Sequence, residues 1–159
     1  MTSIQEQTPA SAALIGPAVG QAEATLTRLL NIALAEKGID RQSYLGLQRM
    51  NSLGEVTRQA YQRDLREWLD LDAAAASQLA TELISAGLIV ADGAGDNDLV
   101  RLSAQGQALR ADIYRIGQKM SGPVLAAINP DDLQTTIRTL EELTRRARQI
   151  PALTAEGKS

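Results

Sequence analysis

Side chains that usually carry chemistry are scarce in this chain of 159 residues. It has no Cys and no His, which excludes thiol or imidazole catalysis, disulfides and Cys- or His-ligated metals. Adjacent acids occur at Asp131 and Asp132 and at Glu141 and Glu142, but neighbouring helix residues do not face each other. The acidic stretch DGAGDND at 92–98 lacks the twelfth-position Glu of a calcium loop. We therefore expect no enzyme, no metal site and no cofactor.

The composition predicts a helical protein with one core. Apolar residues make up 44% of the chain, aromatic residues make up only 3%, and Phe is absent. Leu and Ala must therefore fill much of the core, and both are strong helix formers. No apolar run reaches the roughly 18 to 20 residues of a membrane helix, and the N-terminus lacks the pattern of a signal peptide. We expect a soluble, cytoplasmic protein without a membrane partner.

Apolar residues recur at steps of three and four in the first half of the chain, which predicts a series of helices. Gly38 and Gly87 are expected to end two of them, since glycine favours the conformation that follows a helix. The predicted order is a flexible arm at 1–13, a helix at 14–37, a helix between Asp40 and Ser52, a helix from about 57 to 69, and a helix at 73–86 that Asp70 or Asp72 would cap.

The pattern changes after residue 87. Two short β-prone runs, at 88–90 and 99–102, flank the Gly- and Asp-rich stretch 92–98 and predict a hairpin. A long helix should follow Ser103, and a last helix should begin at Pro130. The first and last helices carry long apolar stripes. So small a unit has no surface of its own that could cover these stripes. A second copy of the chain would cover them, which predicts a symmetric homodimer.

Three stretches, in this order and spacing, resemble the MarR family of bacterial transcriptional regulators. They are ELISAGLIV at 82–90, LVRLSAQGQAL at 99–109 and INPDDLQTTIRTLEELTRRA at 128–147. The resemblance covers about residues 15–148 and implies a mostly α (α+β) fold. This fold is a winged helix-turn-helix with a two-stranded wing, and its long N- and C-terminal helices form the dimer interface.

The resemblance also divides the chain. It implies a single domain at 14–150, followed by a polar tail at 151–159. The implied parts of the domain are a DNA-binding lobe at 38–103, dimerisation helices at 14–37 and 104–150, a recognition helix at 73–86 and a wing at about 88–103.

The expected recognition helix departs from the family pattern, in which Ser, Thr and Arg side chains begin this helix. Here it begins with a run of alanines, so Ala73 and Ala74 could offer only methyl contacts to thymine. Ser77 and Gln78 are the candidate base readers, because their side chains can hydrogen-bond a base edge. The alternative is that both are merely exposed helix residues.

The charge of this region is also unusual. From Leu71 to Val100 there are five acids and no Lys or Arg, although phosphate contacts normally supply much of the affinity for DNA. Basic residues on neighbouring elements are the candidate phosphate contacts: Arg58, Arg63 and Arg66 on the preceding helix and Arg101 on the returning wing strand. The alternative is that these arginines are solvated and paired with Asp64, Glu55 and Glu67. That alternative is preferred for Arg41 and Arg49.

Three aromatic residues complete the candidates. Family members commonly release DNA when a small, often phenolic, ligand binds between the dimerisation and DNA-binding regions. Tyr44 and Tyr61 could line such a pocket for a small aromatic ligand. Alternatively, they lie in the core with their hydroxyl groups at its edge. Trp68 is expected in the core.

Two functions follow from these observations. The first is a ligand-responsive, DNA-binding transcriptional regulator of the MarR type, a repressor that binds a palindromic operator in double-stranded DNA as a dimer. The alternative is a repurposed winged-helix dimer that binds a protein or a small molecule and has lost DNA binding. The family resemblance favours the first function, and the acidic segment favours the second.

Overall fold

The computed structural model describes residues 10–150, and side chains from residue 14 onward. Its elements are α1 (Ala10–Lys37), α2 (Arg41–Leu53), β1 (Val56–Thr57), α3 (Arg58–Leu69), α4 (Ala73–Ser85), β2 (Ile89–Ala91), β3 (Leu99–Leu102), α5 (Ala104–Ala126) and α6 (Pro130–Ala147). The mostly α fold with a helix-turn-helix and a small wing is as predicted. Within the described part, none of the helices has the length and apolar character of a membrane span.

Local signals place most helix ends. Gly38 and Gly87 have positive φ angles of 63° and 72°, which glycine adopts without strain. The side chain of Asp40 caps α2 by accepting a hydrogen bond from the Ser43 backbone N–H. Of the two candidates for the cap of α4, Asp72 fills this role. Asp70 instead ends α3 in the left-handed conformation.

The N-terminal helix is longer than predicted. Helix α1 begins at Ala10, within the segment that the sequence analysis assigned to a flexible arm, and it includes Pro17. The remainder of the predicted arm and the polar tail at 151–159 lie outside the described residues.

The wing belongs to a sheet of three antiparallel strands, not two. The strand order is β1-β3-β2, with Val56 opposite Val100 and Ile89 opposite Leu102. The sequence analysis missed β1 and placed Thr57 in the next helix. A strand of two residues is too short to show a periodic pattern, and its partner lies more than 40 residues further along the chain.

The chain divides between Lys119 and Met120 into two units. The core of the first unit surrounds the helix-turn-helix, and its largest fully buried side chains include Tyr61, Leu47, Met50, Leu65 and Leu83. A second cluster joins α1, α2 and α5 through Ala33, Leu34, Tyr44 and Ile113. Where α5 begins, a Cβ on Gly106 would lie 2.1 Å from the Leu88 carbonyl oxygen, so only glycine allows this close approach.

One core prediction is wrong. Trp68 is 50% exposed instead of buried. The guanidinium of Arg49 lies over its ring, 4.0 Å from the centroid. The large aromatic side chain of Trp68 thus forms a cation–π contact at the surface and does not pack in the core.

The second unit contains the end of α5, which continues through Pro123 to Ala126, and α6. Asn129 caps α6 by accepting a hydrogen bond from the Asp131 backbone N–H, and Pro130 occupies the first turn, as predicted. No residue of α6 is buried by the rest of the described chain.

Candidate nucleic-acid interface

Helix α4 presents one apolar face to the core, and to solvent a face of small and polar residues that includes the acid Glu82. Its buried residues are Ala76, Leu79, Ala80 and Leu83. The opposite face exposes the four candidates of the sequence analysis, Ala73, Ala74, Ser77 and Gln78. The helical period places Ala74 and Gln78 opposite the buried set, whereas Ala73 is exposed because it lies at the first position of the helix.

The two polar candidates already have intramolecular partners. The Gln62 Nε2 atom donates to the Ser77 Oγ atom at 3.4 Å, a long bond. The Gln78 Nε2 atom donates to the Glu82 Oε1 atom at 2.8 Å. A base edge that binds either side chain would replace these exposed contacts, which cost little to lose because water competes for them.

Residues 92–98, which we call the wing loop, fold back onto the start of α3. The backbone N–H groups of Arg58 and Gln59 donate to the carbonyl oxygens of Asp98 and Asp96, both at 2.9 Å. These bonds satisfy two of the N–H groups that a helix start leaves without intrahelical partners. The wing loop is therefore joined to the start of α3, the helix that precedes α4.

Most of the five acids in this region have partners within the chain. Asp72 caps α4, and Asp92 forms an ion pair with Arg101 at 2.8 Å. Asp98 accepts a hydrogen bond from the Gly95 N–H at 2.7 Å, and Glu82 accepts the bond from Gln78. Only the Asp96 carboxylate has no partner among the described residues.

The arginines fall into two groups, and the first is occupied by ion pairs. Arg101 contacts Asp92 and also Glu55, and Arg41 contacts Glu23. Arg49 forms two hydrogen bonds of 2.8 Å with Asp64, and these raise the pKa of Arg49 above its ordinary value. Asp64 and Glu55 were two of the partners that the alternative interpretation gave to these arginines, and they pair with Arg49 and Arg101.

The second group is Arg63 and Arg66 on α3. Both are exposed, and neither forms an ion pair or a hydrogen bond within residues 14–150. They border a shallow cleft of about 370 Å³ at the start of α4, which we call the α3–α4 cleft. Its lining residues are Gln59, Gln62, Arg63, Arg66, Ala73 and Asp96. The cleft thus places two guanidinium groups without intramolecular partners beside the N-terminus of α4, together with the carboxylate of Asp96.

Arg58 behaves differently from the other arginines of α3. It is half-buried, and its Nη2 atom donates to the Gly93 carbonyl oxygen in the wing loop at 2.8 Å. Its Nε atom is buried and has no hydrogen-bond partner in the described part of the chain. The guanidinium is therefore held against the wing loop, unlike those of Arg63 and Arg66, which have no intramolecular partner among the described residues.

The two tyrosines lie in different clusters. Tyr61 is fully buried, and its hydroxyl donates to the Gly46 carbonyl oxygen at 2.9 Å; burial raises the pKa of Tyr61 well above its ordinary value. Tyr44 lies on α2, in the cluster that this helix forms with α1 and α5. Burial raises the pKa of Tyr44 too, although the hydrogen bond from Gln48 opposes that effect.

A polar network surrounds the Tyr44 hydroxyl, which accepts a bond from the Gln48 Nε2 atom at 2.6 Å. The Gln48 Oε1 atom accepts in turn from the Arg110 Nη1 atom at 3.2 Å. The Arg110 Nε atom is buried without a partner among the described residues. The sequence analysis missed Gln48 and Arg110, because only the packing of α2 on α5 brings together residues 62 positions apart.

No cluster of acidic residues within residues 14–150 could hold a metal ion. No protein-family model and no curated protein matches the sequence. Solved structures do match. A MarR family protein from Bacillus stearothermophilus is 16% identical with a TM-score of 0.71, covering 89% of this chain and 99% of its own. The oxidized form of MarR from E. coli is 20% identical with a TM-score of 0.62, covering 82% and 93%.

A third structure is CouR from Rhodococcus jostii RHA1 bound to p-coumaroyl-CoA. It is 23% identical with a TM-score of 0.68, covering 86% of this chain and 95% of its own. At these identities the similarity concerns the fold. The chain has the winged helix-turn-helix fold of MarR-family regulators, and the resemblance predicted from the sequence is confirmed at that level.

Proposed function

From the MarR-type fold of this chain, we propose that it is a dimeric, DNA-binding transcriptional regulator and not an enzyme. The observation that carries the proposal is the α3–α4 cleft. Arg63 and Arg66 are free there, directly beside the exposed face of α4 that bears Ser77 and Gln78. We assign phosphate binding to the two arginines and base contacts to Ser77 and Gln78, with methyl contacts from Ala73 and Ala74.

The remaining candidates receive other roles. Arg101 contacts Asp92 and Glu55, so we propose that it stabilises the wing and does not bind phosphate. Few phosphate contacts then remain for each protomer. The protein should therefore bind DNA with a shallow dependence on salt concentration and rely more on base contacts and groove shape than is usual.

We propose a homodimer on a palindromic operator, with repression as the output. Apolar side chains of α1 and α6 are open to solvent in the single chain, among them Leu26 at 53% and Ile137 at 51% exposed. Burial of about 1,000 Å² or more against a second copy would cover them. A two-fold axis would then place two α4 helices on half-sites about one helical turn of DNA, 34–36 Å, apart.

The test is fluorescence anisotropy with DNA from the promoter region of the protein's own gene, over about 50 to 200 mM salt. We expect sequence-preferring binding. In Arg63→Ala/Arg66→Ala the logarithmic salt slope should fall by about two for each bound protomer, one for each lost phosphate contact. Arg115→Ala is the matched control, because it removes an exposed arginine of α5 that lies outside the cleft. Its slope should equal that of the wild type.

The second candidate function is the repurposed dimer without DNA binding. The unpaired Asp96 carboxylate in the α3–α4 cleft favours it, because an acid there repels a phosphate. At low salt, no binding to either promoter or random DNA would support this function, and equal binding to both would contradict the sequence preference of the first.

We further propose that a small aromatic ligand binds near Tyr44, and we assign Tyr61 to the core because it is fully buried. The Tyr44–Gln48–Arg110 network supplies a hydroxyl and a cation at the contact of α2 with α5. Since CouR is bound to p-coumaroyl-CoA, that compound is a suitable probe in isothermal titration calorimetry. Binding to the wild type that Arg110→Ala weakens would support this site, and unchanged binding to the variant would contradict it.

A further inference from the structure

Several hydrogen bonds hold the wing loop against α3, and one of them comes from the side chain of Arg58. We propose that Arg58 is a positioning residue that fixes the wing loop to α3, so that the wing is a rigid wall of the α3–α4 cleft and not an independent arm for a minor groove. The inference rests on the proposed function, because it specifies how this surface meets DNA.

The geometry of Arg58 separates it from Arg63 and Arg66. Its Nη2 atom donates to the Gly93 carbonyl oxygen at 2.8 Å, and its Nε atom is buried. The bond to the Gly93 carbonyl holds one edge of the guanidinium against the wing loop, so fewer of its N–H groups are open to a phosphate than in Arg63 and Arg66. Because charged donors form stronger hydrogen bonds than neutral ones, this bond favours the position beside the wing loop.

Three further hydrogen bonds fix the wing loop in the same place. Arg58 and Gln59 bind the Asp98 and Asp96 carbonyls through their backbone N–H groups, and the Gly95 N–H donates to the Asp98 carboxylate. A Cβ on Gly93 would lie 2.2 Å from the Asp98 Oδ2 atom, so a side chain there would displace the Asp98 carboxylate that accepts from Gly95. The loop is therefore folded tightly against itself and against α3.

The consequence concerns Asp96. Because its carbonyl is bound to the Gln59 N–H, its carboxylate is held at the edge of the cleft that Arg63 and Arg66 border. The rigid loop thus keeps a negative charge beside the proposed phosphate site. Base reading would then rest on α4 in the major groove, without a wing contact in the minor groove.

The first experiment uses the full chain without DNA. Hydrogen–deuterium exchange is measured at the backbone amides of Arg58, Gln59, Gly95 and Asp98 in the wild type, Arg58→Ala and Arg58→Lys. We expect exchange in both variants to be faster by roughly five- to tenfold, the effect of losing about one hydrogen bond. Lys should not restore protection, because its shorter side chain lacks the fork that reaches Gly93. Unchanged exchange in Arg58→Ala would overturn the proposal.

A second variant guards against a misfolded Arg58→Ala. Gly93→Ala leaves Arg58 intact but places a Cβ where the Asp98 carboxylate lies. It should accelerate exchange at the Gly95 amide, whose acceptor is the Asp98 carboxylate, while circular dichroism shows unchanged helix content. Exchange that stays at the wild-type rate in this variant would mean that the loop is not held as we propose.

The second experiment distinguishes positioning from phosphate binding. In the salt series, Arg58→Ala should weaken binding but keep the wild-type slope, whereas Arg63→Ala should lower the slope by about one per bound protomer. A lower slope in Arg58→Ala that Arg58→Lys restores would make Arg58 a phosphate ligand and overturn the proposal. If the wild type binds no DNA, the proposed function fails, and the exchange experiment still decides the role of Arg58.

Discussion

Helices α4 and α6 carry the same kind of amphipathic pattern but differ in what covers their apolar faces. In α4, four residues are buried by the rest of the first unit. In α6, Leu140 and Leu143 remain 39% and 43% exposed, and no residue is buried within the described chain. An apolar stripe thus shows which face of a helix avoids water, but not whether the same chain or a second copy covers it.

Shortening one leucine in each helix should show the largest difference between a face covered by the same chain and a face left for a second copy. Leu83→Ala removes a fully buried side chain of α4 and should lower the free energy of unfolding by about 2–5 kcal/mol. Leu140→Ala in α6 should cost less than about 0.5 kcal/mol at a protein concentration low enough for monomers. Urea unfolding measures both. Equal losses in dilute protein would show that α6 is covered by its own chain.

A charge on the α6 stripe should break the dimer without unfolding the monomer. Leu140→Glu is expected to weaken self-association by about 2 kcal/mol or more, roughly thirtyfold, because a carboxylate would be buried in the interface. Sedimentation equilibrium measures the change. Thr139→Glu, which adds the same charge to an exposed position on the polar side of α6, is the control. If both variants weaken association equally, net charge and not the apolar stripe is responsible.

How much of the fold could be predicted from the sequence depends on whether a feature is set by neighbouring residues or by distant ones. Helix ends depend on neighbouring residues, so Asp40, Gly38 and Gly87 were placed correctly. Strand β1 and the exposed position of Trp68 depend on partners far along the chain, and neither was predicted. The four candidate residues of α4 were named from the family resemblance, which places the start of the recognition helix there, and all four are exposed.

The candidate site shows the same limit of sequence reasoning. Arg58, Arg63 and Arg66 look alike in the sequence, since all three lie on one helix. Only the contact with the folded-back wing loop, 35 residues beyond Arg58, distinguishes Arg58 from Arg63 and Arg66. Likewise, Arg49 lies on a different helix from Asp64, and their pairing required the packing of α2 against α3.

The smallest expected effect concerns the polar face of α6, which needs no partner chain. Hydrogen bonds from Arg145 first, and then from Arg146, lower the pKa of Glu142 from 4.5 to about 2. Because the pKa is lowered in the folded state, the stabilisation is complete above the unfolded value of 4.5. It is lost as the pH falls from there towards about 2.

Thermal unfolding of the wild type and Glu142→Gln, followed by circular dichroism, should therefore differ slightly near neutral pH. The difference should disappear by about pH 2. Glu141→Gln removes the same charge from a side chain without a partner among the described residues, and it should show no such dependence on pH. A pH-independent difference for Glu142→Gln would mean that these hydrogen bonds do not stabilise the helix.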